Sequence, residues 1–145
     1  MADRIERTTA LIAWRPAHNP ALPIPGMGRF TETGGLLLAR VAPFQALAMR
    51  KGLDVPLLDE LAPLVPGASL IDLSDARIGV RIHGSTRLAH LVPLDLHPAR
   101  FAPGHCAQTI MAHMSVLLLQ TGPEEYEIQG ARSYMASFLR AFETV

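Results

Sequence analysis

Apolar and polar positions alternate most clearly in the C-terminal half of the chain. Over residues 75–84, isoleucine and valine alternate with arginine and glycine, and this period of two is typical of a half-buried β-strand. Ser85 follows as a helix N-cap residue type, and apolar residues near helical spacing continue until Pro93. The pattern therefore predicts a strand that is followed directly by a short helix.

Three more strands and a second helix are predicted after this pair. Residues 105–114 have mixed faces, residues 116–120 are apolar, and residues 126–129 form a short strand after a Gly-Pro turn. Residues 132–142 place a broad apolar stripe on one side of a helix. The stripe comprises Tyr134, Met135, Phe138, Leu139 and Phe142. The order β-α-β-β-β-α predicts an α+β fold with an antiparallel-rich sheet and helices on one face.

The predicted strand at residues 116–120 carries large apolar side chains on both faces. Val116 to Leu119 are four consecutive apolar residues, whereas a sheet covered by helices on one side needs only alternate ones. A second cover is therefore expected. It is either the N-terminal half of this chain or another protein.

Proline and glycine are concentrated between residues 14 and 35, with four of each. Proline fixes φ and removes an amide donor, so neither a helix nor a central strand is expected there. Residues 1–35 are predicted to be an extended N-terminal arm, either disordered or ordered along a partner subunit. Residues 36–145 are predicted to form a single α+β domain.

Apolar residues near helical spacing occur twice within residues 36–65. The first set is Phe44, Leu47 and Ala48, and the second is Leu57, Leu58, Leu61 and Leu64. Prolines interrupt both sets. The pattern predicts two brief helices or turns joined by loops.

The composition restricts the classes of partner. Thirteen basic residues balance thirteen acidic ones, so the chain has no cationic excess for nucleic acid or an anionic membrane surface. Only 18% of residues are charged and 49% are apolar, which suggests that another protein covers part of the surface. A single cysteine fits a reducing cytoplasm, and neither a signal peptide nor a spanning segment is recognised.

Motifs for nucleotide, metalloprotease or serine-hydrolase chemistry are not found, and no catalytic residue is predicted. His105, Cys106 and His113 are zinc-ligand types. Along a strand, however, the first two face opposite ways, and the two histidines lie roughly 25 Å apart. No metal site is predicted, although a metal-dependent hydrolase using these three residues is a distant third hypothesis. Cys106 is expected to be a buried, inert thiol rather than a nucleophile.

Two groups of polar side chains are candidates for contact with a ligand or a partner. Asp95, His97 and Arg100 lie in one loop, where a carboxylate, an imidazole and a guanidinium offer directional hydrogen bonds. Arg132 and Tyr134 lie at the start of the last helix. The alternative for both groups is scaffolding, in which the polar residues shape turns and Tyr134 is part of the core.

Several short motifs in a fixed order resemble a known family. They are the Asp-Leu-Ser at Asp72, the strand ending at Gly84, and the Pro-Leu-Asp-Leu before Phe-Ala-Pro-Gly. The Cys-Ala-Gln-Thr at Cys106 and the Arg-Ser-Tyr at Arg132 follow. Each is weak alone, but the combined order over residues 69–139 resembles the C-terminal half of the gamma subunit of heterotetrameric sarcosine oxidase. About half of the chain is covered.

The resemblance implies a fold similar to that of the folate-binding aminomethyltransferases. It also implies a non-catalytic small subunit without its own cofactor, which stabilises larger flavin-binding subunits. FAD, FMN, NAD, tetrahydrofolate and zinc would belong to partner subunits, and the reaction would be oxidative N-demethylation of an N-methyl amino acid. The alternative hypothesis is a stand-alone folate-binding module.

Overall fold

The structure is a computed structural model that describes residues 3–143, apart from the side chains at positions 135, 138, 141 and 142. Its elements are, in chain order, β1 (Asp3–Ile5), β2 (Arg7–Ala13), β3 (Phe30–Thr33), β4 (Leu36–Ala42), β5 (Gln45–Lys51), α1 (Leu57–Leu61), a 3-10 turn (Ala62–Leu64), β6 (Ser69–Asp72), β7 (Arg77–His83), α2 (Ser85–Ala89), β8 (Cys106–Met111), β9 (Met114–Gly122), β10 (Glu125–Ala131), a second 3-10 turn (Arg132–Tyr134) and α3 (Met135–Glu143). The chain forms two units. The N-terminal unit is Glu6–Asp75, and the C-terminal unit is the described part of residues 1–5 and 76–145.

The N-terminal unit is an antiparallel sheet of strand order β3-β4-β5-β2-β6. One face is apolar because Ala10 and Ile12 of β2 align with small or branched residues of β4 and β5. α1 covers this face through Leu57 and Leu61, which are fully buried. Leu22, from the proline-rich loop, adds to the same core.

The C-terminal unit is an antiparallel sheet of strand order β1-β7-β10-β9-β8. The alternating apolar residues of β7 and β10 point into one core together with Val116 and Leu118 of β9. Leu88 of α2 lies in this core, and Leu139 of α3 packs against it. Both helices therefore lie on the same face of the sheet.

These two antiparallel sheets with few helices confirm the predicted α+β class. The β-α-β-β-β-α order is found as β7, α2, β8, β9, β10 and α3. The side chains of Met135, Phe138 and Phe142 in the predicted apolar stripe lie outside the described residues. In the described part of the chain, no helix is long and apolar enough to cross a membrane.

Both faces of β9 are buried, as the apolar run predicts. Val116 and Leu118 belong to the core beneath the helices. Leu117 and Leu119 point to the opposite face and are 1% and 0% exposed. The expectation of large apolar side chains on both faces of this strand is therefore met.

A brief helix or turn was expected around Phe44 and Leu47, and the helix is wrong. These residues lie in the β4–β5 hairpin, where Leu47 pairs with Ala39 across the two strands. All four residues from Ala46 to Met49 are buried, so the strand is apolar on both faces and shows no period of two. The helix predicted from Leu57 is confirmed as α1 followed by a 3-10 turn.

The N-terminal segment differs from the expected arm. Residues 7–13 form an internal strand because β2 pairs with both β5 and β6, whereas residues 14–29 contain no helix or strand. The two units divide near residues 6 and 76 rather than at residue 35. The prolines thus exclude regular structure only from the loop that contains them.

We expect Leu118→Ala to lower the free energy of unfolding by about 3 kcal/mol, because it removes a fully buried side chain and leaves a cavity. The matched control is Ile110→Ala on the neighbouring strand, where the side chain is 58% exposed and the change should cost less than about 0.5 kcal/mol. Urea unfolding measures both. Equal losses for the two variants would contradict the described core.

Candidate functional site

Asp95, His97 and Arg100 lie in the loop that follows α2, and their polar atoms shape that loop. The Asp95 Oδ1 accepts a hydrogen bond of 3.0 Å from the His97 backbone N–H. The His97 Nδ1 accepts one of 3.1 Å from the Ala99 N–H, and the His97 carbonyl accepts the Arg100 N–H at 2.7 Å. Two of the three side chains therefore act as turn-forming groups, while the exposed Arg100 side chain extends from the turn.

The same loop lines an open cleft of about 360 Å³. Asp95 and His97 form one side, and Ser85 and Glu124 form the other. Two carboxylates and one imidazole give the cleft an acidic character at neutral pH. Such a lining favours cationic over anionic ligands.

Glu124 is held in place by the start of α2. Its carboxylate accepts hydrogen bonds from the Ser85 N–H at 2.6 Å and from the Ser85 hydroxyl at 2.9 Å. These bonds, the backbone one foremost, lower the pKa of Glu124 below its ordinary value. Ser85 is the first residue of α2 rather than its N-cap, which is Gly84. Its hydroxyl therefore ties the β9–β10 turn to the start of α2 through Glu124 instead of capping the helix.

Arg132 and Tyr134 lie in the 3-10 turn before α3. The Arg132 N–H donates to the Ala76 carbonyl at 2.8 Å, and its guanidinium Nη2 donates to the Arg77 carbonyl at 2.9 Å. Arg132 thus fastens the turn to the first residues of β7. Tyr134 is 54% exposed, so the alternative in which it belongs to the core is wrong and its ring is accessible to a partner.

The structure does not bring the two groups of candidate residues together. In the β7–β10 pair, Glu125 lies opposite His83 and Ala131 lies opposite Arg77. Glu124, in the acidic cleft, directly precedes the first residue of β10, and Arg132 directly follows its last residue. Six residue steps along a strand separate the ends by about 20 Å. No single small ligand can bridge both groups.

His105, Cys106 and His113 do not form a metal centre. Among the residues that the structure describes, no group of three or more histidine, cysteine or acidic side chains is close enough to hold a metal ion. His105 precedes β8 and packs edge-on against Phe101, whereas His113 lies in the turn after it. Cys106 is buried, and burial raises the pKa of its thiol to about 11.

Sequence reasoning missed a buried polar pair on β10. Glu127 is 0% exposed and Gln129 is 3% exposed, and the Gln129 Nε2 donates a hydrogen bond to the Glu127 carboxylate. Gly79 provides the space, because a Cβ there would lie 3.3 Å from the Glu127 Oε2. The apolar run on β9 is the sequence signal that could have indicated this pair. The run shows that both faces of β9 are buried, and Glu127 lies opposite Leu119 on the second of these faces.

We expect Glu124→Gln to lower the melting temperature at neutral pH, because an amide accepts the two Ser85 hydrogen bonds less strongly than a carboxylate. A lowered pKa in the fold contributes stability above the unfolded pKa, and this contribution disappears as the pH falls through the folded value. The difference from the parent should therefore shrink below about pH 4.

Thermal unfolding across this pH range measures the Glu124 effect. Glu32→Gln, at an exposed position on β3, is the control for loss of one surface charge. A difference between Glu124→Gln and the parent that stays constant down to acid pH would contradict the role of the carboxylate.

We expect the native Cys106 thiol to react with a disulfide reagent at pH 8 at least about a hundredfold more slowly than in the unfolded chain, because only the thiolate reacts and the raised pKa makes it scarce. Thiol titration in buffer and in guanidinium chloride measures the two rates. Similar rates would instead indicate a reactive, accessible cysteine.

The comparisons with known proteins establish the fold. No protein-family model and no curated protein matches the sequence. A chain of the heterotetrameric sarcosine oxidase from Corynebacterium sp. U-96, solved in complex with pyrrole 2-carboxylate, is similar in structure with a TM-score of 0.80 and 20% sequence identity. The match covers 97% of this chain and 81% of that one.

A second solved structure is similar in fold but longer. It is the glycine cleavage system aminomethyltransferase T from Bartonella henselae, with a TM-score of 0.71 and 15% identity. The match covers 97% of this chain but 44% of that protein, so this chain spans less than half of its length. The chain therefore has a fold like that of the sarcosine oxidase gamma subunit and of the aminomethyltransferases, as the sequence resemblance implied.

Proposed function

We propose that this chain is a small, non-catalytic subunit of a heteromeric flavin-dependent amine oxidase or dehydrogenase of the sarcosine oxidase type. Its role is to stabilise the larger subunits, and the assembly performs oxidative N-demethylation of an N-methyl amino acid. The observation that carries the proposal is the structural likeness to a heterotetrameric sarcosine oxidase over 97% of this chain.

The arrangement of the candidate side chains supports a structural role. Asp95 and His97 are engaged in their own turn, and Arg132 is engaged with the start of β7. Polar groups used in this way hold loops in place. Arg100 and Tyr134 remain exposed, and arginine and tyrosine are residue types enriched where proteins meet.

The proposal assigns the cofactors to the partners. FAD, FMN, NAD, tetrahydrofolate and zinc would be held by the larger flavin-binding subunits or their companions, and the assembly would be cytoplasmic, without nucleic-acid or membrane partners. The balance of thirteen basic and thirteen acidic residues supports the last two points. A single, buried cysteine is consistent with a reducing compartment.

The alternative is a stand-alone folate-binding module, which the likeness to an aminomethyltransferase favours. The acidic cleft does not fit this ligand well. Folates carry carboxylates, and Asp95 and Glu124 on the cleft walls would repel them. Its volume of about 360 Å³ is also near the lower limit for ligand pockets.

We expect the full-length chain, tagged and purified from its own cells, to elute with larger subunits as a flavin-coloured assembly that oxidises N-methyl amino acids. Mass measurement, flavin absorbance and dye reduction with sarcosine as the probe test this. Tyr134→Asp should reduce recovery of the assembly about tenfold, because it places a charge where the exposed ring is proposed to contact a larger subunit. Thr31→Asp, exposed on β3, is the control.

Titration of the isolated chain with tetrahydrofolate by calorimetry separates the two functions. The subunit proposal predicts no binding, and the folate module predicts saturable binding. A stable monomer that binds folate and recovers no flavoprotein would overturn the subunit proposal.

A further inference from the structure

A pocket of about 190 Å³ in the N-terminal unit is lined by both apolar and polar side chains. Trp14, directly after β2, and Phe44, in the β4–β5 turn, form an edge-to-face pair with ring centroids 6.5 Å apart. Leu22 and Ile24 of the proline-rich loop add further apolar surface. The pocket thus offers flat apolar walls of a size suited to one ring.

Arg40 gives this pocket its charge. Its guanidinium lies over the Trp14 ring, 5.8 Å from the centroid, and donates to the carbonyls of Pro25 and Pro43. A guanidinium has five N–H donors, and these two bonds leave others unused. Within residues 3–143 no ion pair compensates the Arg40 charge.

The position of Arg40 is fixed before any ligand arrives. β4 places the side chain, the two proline carbonyls restrict its rotation, and the indole face supports it from one side. Preorganisation of this kind lowers the entropy cost of binding an anion. The backbone N–H of Arg40 also donates to the Arg29 carbonyl at 3.1 Å, which ties the loop to β4.

We propose that this pocket binds a small planar aromatic carboxylate. The carboxylate would accept hydrogen bonds from the unused N–H groups of Arg40, since a guanidinium matches a carboxylate in geometry and charge. The ring would lie against Trp14 and Phe44, and Asn19 at the rim offers an amide donor. Phe44 is 41% exposed, so a bound ring would bury apolar surface that now faces water.

Other ligand classes fit less well. A phosphate ester carries more charge than one guanidinium balances, and apolar walls would strip water from it without compensation. A cationic amine would be repelled by Arg40. The proposal does not depend on whether the chain is an oxidase subunit.

Trp14 is the single tryptophan of the chain, so its fluorescence reports on this pocket. We expect sodium benzoate, added to the full-length chain, to change that fluorescence and to saturate. Acetate lacks the ring and benzyl alcohol lacks the charge. Each should bind at least about tenfold more weakly than benzoate. Equal responses to all three probes would overturn the proposal.

Arg40→Met should weaken benzoate binding about tenfold or more, because it removes the charge and the donors. Arg29→Met removes the same charge from an exposed side chain outside the pocket and should leave the affinity unchanged. Phe44→Ala removes a wall without touching the Arg40 hydrogen bonds and should also weaken binding. Circular dichroism confirms that each variant is folded.

Two results would contradict the site. One is the absence of saturable benzoate binding to the folded parent chain. The other is an equal loss of affinity in Arg29→Met and in Arg40→Met, which would indicate a non-specific charge effect rather than a site at Arg40.

Discussion

The position of β10 between β7 and β9 determines where the candidate side chains of the C-terminal unit lie. Seven consecutive residues of β10 pair with seven of β7 without a shift, so the ends of the strand are fixed relative to each other. Glu124 must then lie at one end and Arg132 at the other. The same register places Glu127 opposite Arg81 on β7 and Leu119 on β9. The Glu127 side chain therefore lies on a buried face of the sheet.

How much of this could be predicted depended on whether a strand is buried on one face or two. Apolar and polar residues alternate along β7 because only one of its faces is uniformly apolar. The limits of this strand could therefore be predicted to within about two residues. β5 is buried on both faces from Ala46 to Met49, so its apolar residues do not alternate and their spacing resembles that of a helix by chance. Glu127 was missed for a related reason, because the period of two assigns its face to solvent.

The turn-forming alternative for Asp95 and His97 could be predicted from local sequence, whereas the distant partner of Ser85 could not. Asp95 and His97 are short-range turn formers whose partners lie within two residues, and local sequence is sufficient for such bonds. The partner of Ser85 is Glu124, 39 residues away, and no local pattern indicates it. Likewise, the sequence resemblance covered residues 69–139, whereas the structural likeness extends over nearly the whole chain. Apolar patterning preserves a fold after identity has fallen to about 20%.

The border of the C-terminal sheet has a consequence for handling the protein. β8 ends the sheet in the described part of the chain, and its six residues include no lysine, aspartate, glutamate, arginine or proline. In the two-residue hairpin with β9, the main-chain groups of Gln108 and Ile110 point away from the sheet. Natural proteins usually protect such an edge strand from pairing with another chain by charged side chains, proline or a β-bulge. At high concentration and without a partner protein, the exposed main-chain groups of β8 can pair with an extended segment of another chain. The solubility of this protein therefore depends on what covers this edge strand.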